Sequence, residues 1–75
     1  MAGELPSVTA RQLLRALERD GWYIARTTGR HQMRHPSKPG TIPVSNDLSK
    51  PVKEGTLRSI LQAAGMTPER FRELL

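Results

Sequence analysis

The chain has 75 residues and no cysteine, and its 12 Lys and Arg against 7 Asp and Glu give a formal net charge of +5. This length predicts one domain with a small core and no room for a large cofactor, and the lack of cysteine excludes disulfides and thiolate zinc sites. No apolar run approaches the roughly 20 residues of a membrane span, and the first six residues do not resemble a signal peptide. We therefore expect a cytoplasmic protein that binds neither a membrane nor a metal.

The positive charge is concentrated in the middle of the sequence. Residues 26–58 contain seven basic side chains and two acidic ones, Asp47 and Glu54, whereas the rest of the chain carries five of each sign. A concentrated basic segment is typical of proteins that bind a polyanion, so we predict a nucleic-acid partner. The alternative is a solvated surface that only keeps the domain soluble.

The first predicted element is a helix over residues 9–20. Its apolar positions follow the spacing of one helix face: Ala10, Leu13, Leu14 and Leu17. Thr9 is expected to cap its start and Gly21 to end it.

Three short strands are predicted next, at residues 22–26, 30–35 and 41–45, with turns at 27–29 and 36–40. Pro43 lacks the N–H group that a central strand would donate, so the third strand should lie at a sheet edge. A three-stranded antiparallel meander meets this requirement.

A second helix is predicted from a Thr56 cap to Gly65, and Thr67 with Pro68 should begin a short third helix. The fold class is α+β, with an α-β-β-β-α order like that of double-stranded-RNA-binding domains, helices on one sheet face and an extra C-terminal helix. The predicted core consists of Leu13, Leu14, Leu17, Ile24, Met33, Ile42, Leu57, Ile60 and Leu61.

Four short motifs follow one another between residues 20 and 65, within a likeness that runs over about residues 10–72. They are Asp20-Gly21-Trp22, Gly29-Arg30-His31, His35-Pro36 with Lys38-Pro39-Gly40-Thr41 behind it, and Gly55-Thr56-Leu57-Arg58-Ser59-Ile60-Leu61 with Ala64-Gly65 behind it. In order and spacing they resemble the motifs of the HicA family of small bacterial toxins.

The resemblance implies a single HicA-like domain over residues 1–75 that cleaves mRNA as a ribosome-independent endoribonuclease and arrests translation. It also implies a cognate HicB-like antitoxin that inhibits the activity. The functional histidine of the family lies in a Gly-Ser-His motif, which falls on His31 when the chain is read forward from Gly29.

The chain departs from the family pattern at two points. Arg30 replaces the serine of that motif, and one residue fewer separates the glycine from the His35-Pro36 pair. Read backward from this pair, the histidine's position is held by Arg30. In a regular strand His31 and Met33 would face the same side, towards the helices, whereas a bulge or a later strand start would turn His31 away.

RNA carries its own nucleophile, the 2′-hydroxyl, so a nuclease needs a base and cations that stabilise the charged transition state. Histidine changes protonation near neutral pH, which makes His31 the candidate base without any metal or cofactor. The alternative is that His31 is a partly buried or phosphate-binding histidine, and His35 is expected to set a turn. Trp22 and Tyr23 could stack on bases, but Trp22 directly after a helix-ending glycine is expected to anchor the core. The predicted phosphate contacts are Arg26, Arg30, Arg34, Lys38, Lys50 and Lys53.

Two other classes of function fit the same sequence. One is a non-catalytic double-stranded-RNA-binding module, which would retain RNA without cutting it. The other is a protein-interaction domain whose basic face binds an acidic partner, which would retain no RNA even at low salt.

Overall fold

A computed structural model describes residues 5–75. Residues 1–4, which make up most of the segment for which we predicted no signal peptide, lie outside the described part. The order is α1 (Ala10–Arg19), β1 (Tyr23–Thr27), β2 (Arg30–Arg34), β3 (Ile42–Ser45), α2 (Glu54–Ala63) and α3 (Pro68–Leu74). This order confirms the predicted α-β-β-β-α arrangement with its short C-terminal helix. Among the described helices, none is long and apolar enough to cross a membrane.

Helix α1 begins at the predicted Thr9 cap, which forms a capping box with Gln12. The Thr9 hydroxyl accepts a hydrogen bond from the Gln12 N–H at 3.3 Å, and the Gln12 side-chain oxygen accepts one from the Thr9 N–H at 2.9 Å. The N–H groups of the first two helical residues donate to the carbonyls of Lys50 and Leu48, each at 2.9 Å. The loop after β3 is therefore fastened to the start of α1, which positions its lysines.

The sheet has the order β1-β2-β3 with antiparallel pairing, so β3 lies at an edge as Pro43 predicted. One core cluster contains the stripes of α1 and α2 together with Met33, Ile42 and Val44. The expectation for Ile24 is wrong, because its side chain is 39% exposed. Strand β1 forms the other edge and pairs only with β2, and all five of its residues are exposed.

Helix α2 begins three residues earlier than predicted. Lys53, not Thr56, occupies the N-cap position, and no side chain caps the helix. The Val52 N–H donates to the Val8 carbonyl at 2.9 Å, which keeps the chain extended up to the cap. Glu54 suits the first turn because its charge complements the helix dipole, and it pairs with Arg58 at 3.1 Å.

The end of α1 meets the turn after β2 through His35. The Ser37 N–H donates to Nδ1 of His35 at 3.1 Å, so the ring proton lies on Nε2, which donates to the Asp20 carbonyl at 2.8 Å. The ring also packs edge-on against buried Trp22, with centroids 5.3 Å apart. Both nitrogens of His35 are thus used to hold the fold together, which agrees with its predicted structural role.

Gly21 leaves no space for a side chain at this junction. Its φ is +105°, and a Cβ built on it would lie 2.6 Å from Nε2 of His35. We expect Gly21→Ala to lower the free energy of unfolding by about 2–4 kcal/mol, because backbone strain of roughly 1–3 kcal/mol adds to displacement of His35. Urea unfolding followed by circular dichroism measures this loss.

Gly40 provides the matched control. Its φ is +88°, but a Cβ there would meet nothing within 4 Å. Gly40→Ala therefore adds backbone strain without a clash and should cost about 1–2 kcal/mol. Equal losses in the two variants would mean that the His35 contact does not constrain Gly21.

Candidate nucleic-acid interface

The two sides of β2 carry different chemistry. Met33 pairs with Ile42 and His31 with Val44, so His31 lies on the side of the sheet that faces the core. The opposite side, which we call the open sheet face, consists of Tyr23, Arg26, Arg30, Gln32, Arg34, Pro43 and Ser45. Adjacent residues of β2 therefore present a histidine to one side and arginines to the other.

The sheet contains a bulge, but it lies in β1. The register shifts between Ile24 and Arg26, whereas β2 pairs with β3 without interruption. Because β2 is regular, His31 stays on the same side as Met33. The bulge instead turns Arg26 to the side of its partner Gln32, so Arg26 and Tyr23 both lie on the open sheet face.

His31 is half-buried next to the hairpin turn. Its Nδ1 lies 3.1 Å from the hydroxyl of Thr27, its partner across the two strands. Its Nε2 makes no hydrogen bond within residues 5–75. Since both nitrogens of His35 are engaged, His31 is the histidine with a ring nitrogen available to exchange a proton.

Five of the six predicted phosphate contacts have no acidic partner. Within residues 5–75, no carboxylate lies within 4.0 Å of the charged groups of Arg26, Arg30, Arg34, Lys50 and Lys53. These five residues are called the unpaired cations below. Lys38 differs, because its ammonium lies 2.7 Å from the Asp20 carboxylate and 2.9 Å from the Ala64 carbonyl. It joins the turn after β2 to the ends of α1 and α2.

Three of the unpaired cations meet at one groove. A cavity of about 360 Å³ between β3, the following loop and α2 is lined by Arg30, Lys50 and Lys53, with the hydroxyl-bearing Ser45 and Thr56. The rest of the lining is apolar: Ala10, Leu13, Pro43, Val44, Pro51, Val52 and Ile60. No acid is among the lining residues, so the like charges repel one another and a bound anion would relieve that repulsion.

The sequence indicated these residue types, and Tyr23 as a ring that could stack on bases, but it missed Thr27, which lies within hydrogen-bonding distance of His31. The short 27–29 turn brings Thr27 opposite His31, so the hairpin register was the signal that could have identified it. Within residues 5–75, no three His, Asp or Glu side chains are grouped so that they could hold a metal ion.

Residues 10–66 match the sequence model of the HicA toxin of bacterial toxin–antitoxin systems. The chain belongs to the HicA toxin family. The match covers more than half of the 75 residues and extends from the start of α1 to just beyond α2. It therefore includes both histidines and all of the unpaired cations of this HicA toxin. A comparison with curated proteins finds no significant match.

Proposed function

We propose that this HicA toxin binds mRNA in the cytoplasm and cleaves it without a metal, with His31 as the general base. The proposal is supported mainly by the hydrogen bonding of His31. Its Nδ1 lies within hydrogen-bonding distance of the Thr27 hydroxyl, and its Nε2 makes no hydrogen bond within residues 5–75. The neighbouring open sheet face carries arginines and no acidic residues. With Nδ1–H donating to the Thr27 hydroxyl, Nε2 holds the lone pair that can accept a proton.

The reaction needs few groups because RNA supplies the nucleophile. Nε2 of His31 takes the proton of a 2′-hydroxyl, whose oxygen attacks the adjacent phosphorus, and the bond from phosphorus to the 5′-oxygen breaks. The 5′-oxygen takes a proton from water, and the hydroxide that forms takes the proton back from Nε2 of His31. The products are a 2′,3′-cyclic phosphate and a 5′-hydroxyl. A guanidinium such as that of Arg30 stabilises the charge that grows on the phosphorane oxygens.

The RNA has to reach both sides of β2 for this chemistry. Arg30 and His31 are the first two residues of β2, next to the hairpin turn. At Gly29, in the turn itself, a Cβ would meet nothing within 4 Å, so the end of the hairpin is open. We expect the RNA backbone to lie on the open sheet face and to cross the hairpin end towards His31.

A second candidate function is RNA binding without cleavage. It is favoured by the orientation of β2, because Arg30, which holds the family's histidine position in the backward reading, is the residue on the cationic side. In this alternative the open sheet face and the groove bind RNA, and His31 is only a half-buried strand residue.

Incubation of the purified protein with end-labelled RNA in EDTA separates the functions. Cutting supports the nuclease, and retention of intact RNA supports the binding module. Failure to retain any RNA at low salt supports a protein-interaction domain instead.

We further propose that a HicB-like antitoxin inhibits this HicA by covering the open sheet face. In the described part of the chain, Arg26 and Arg34 on this face are exposed and unpaired, so an acidic partner would complement them. The double variant Arg26→Glu, Arg34→Glu should weaken binding of the antitoxin and of RNA together, by at least about tenfold each. Calorimetric titration measures the first affinity. Crosslinks confined to α1 would contradict this arrangement.

A further inference from the structure

The open sheet face carries an exposed aromatic ring at one end. Tyr23, the sole tyrosine of the chain, is 49% exposed at the start of β1, whereas Trp22 and Phe71 are buried in the core. Its partner across the strands is Arg34. The sheet thus presents a ring beside a guanidinium at a position where neither packs into the core.

The bulge in β1 places a second arginine on the same face. Along a regular strand, Arg26 would point to the side opposite Tyr23, since the two residues are three positions apart and successive side chains alternate sides. The shift at Ala25 reverses this, and Arg26 pairs with Gln32 on the side of Tyr23 and Arg34. Bulges are common at sheet edges and next to active sites, where they re-aim a side chain.

The positive charge of this face is not neutralised within the described part of the protein, and this favours binding of a polyanion. Strands β1, β2 and β3 contain no Asp or Glu. Neither Arg26 nor Arg34 has a carboxylate partner in the described residues. Phosphates satisfy the arginines, and the face of a phenol ring stacks on any nucleobase, so the two residue types together suit unpaired RNA.

We propose that Tyr23 stacks on an unpaired nucleobase of RNA while Arg26 and Arg34 bind the flanking phosphates. This inference rests on the proposed RNA binding and adds a residue that selects single-stranded RNA. The bases of an A-form duplex are stacked on one another inside the helix, so a duplex offers Tyr23 no free base face.

The test is fluorescence anisotropy with an unstructured 12-nucleotide RNA and with the same sequence in a duplex, in a His31→Ala background that prevents cleavage. We expect the single strand to bind more tightly. Tyr23→Ala should weaken its binding by roughly 5- to 100-fold without changing the salt dependence, because no charge is removed. Tyr23→Phe, which keeps the ring, should bind like the parent.

An abasic scan of the RNA locates the stacked base. Removing that base should cost as much as Tyr23→Ala, and the two changes together should cost little more than either one. Equal binding of Tyr23→Ala and its parent, or equal binding of single strand and duplex, would overturn the inference while leaving RNA binding intact.

Two other results also count against stacking. If Tyr23→Ala weakens antitoxin binding but not RNA binding, the ring belongs to a protein interface. If neither RNA form binds, the proposed function fails together with the inference. Thermal unfolding of Tyr23→Ala, monitored by circular dichroism, checks that a loss of affinity does not come from a loss of fold.

Discussion

Replacing His31 by alanine is expected to lower the rate of RNA cleavage by roughly 100- to 10,000-fold, because proton transfer by one side chain typically contributes this much. RNA affinity should change by less than about threefold, since His31 lies on the opposite side of the sheet from Arg26, Arg30 and Arg34. Single-turnover cleavage and anisotropy measure the two quantities separately.

Two further variants sharpen the assignment. His31→Gln keeps a polar side chain next to Thr27 but has no basic nitrogen, so it should be as inactive as His31→Ala. Thr27→Val removes the hydroxyl that lies 3.1 Å from Nδ1 and should lower the rate by about tenfold, with an unchanged affinity. An unchanged rate in His31→Ala would refute the assignment, and loss of cutting in Arg30→Ala alone would move the site to Arg30.

Salt should weaken RNA binding by about 100-fold between 50 and 200 mM. If the five unpaired cations each neutralise one phosphate of single-stranded RNA, the slope of log affinity against log salt is roughly −3 to −4, at about 0.7 per phosphate. Neutralising Arg30 or Lys53 should flatten the slope by about 0.7 each. A salt-independent affinity would mean that these residues are not the binding face.

Two basic residues serve as controls for this measurement. Arg15 is exposed and unpaired on α1, away from the open sheet face, so Arg15→Ala should leave the slope unchanged. Lys38→Ala should also leave it unchanged, because the ammonium is already held by Asp20 and Ala64. Its expected effect is a lower stability, since the partly buried Asp20 loses its nearest cation.

The elements of the fold were predictable because local signals agree with one another. Local chemistry alone predicts three of these features: the helix cap at Thr9, the end of α1 at Gly21, and the edge position of β3 that Pro43 requires. The two errors concern tertiary context. The strand alternation places Ile24 on the core side of β1, but β1 lies beyond the helical layer and leaves its side chain exposed. Helix α2 starts before Thr56 because the loop that precedes it is hydrogen-bonded to the segment before α1.

The candidate site was only partly predictable for the same reason. Residue types identified His31 and the cations, but not the side of the sheet on which each lies. That depends on the bulge at Ala25, which has no clear signal in the sequence. The role of Lys38 depends on the carboxylate of Asp20, which is 18 residues away along the chain. Such long-range contacts follow from the packed fold and not from a motif.

The measurement that tests the proposed nuclease activity most directly is the chemical identity of any RNA ends formed when RNA is incubated with this HicA toxin in EDTA. Attack by the 2′-hydroxyl with His31 as base predicts cleavage in the absence of metal, with 2′,3′-cyclic or 3′-phosphate ends and 5′-hydroxyl ends in the mass spectrum, and none of these products with His31→Ala. Intact RNA on a protein that binds it, or products with 5′-phosphate ends, would contradict the account.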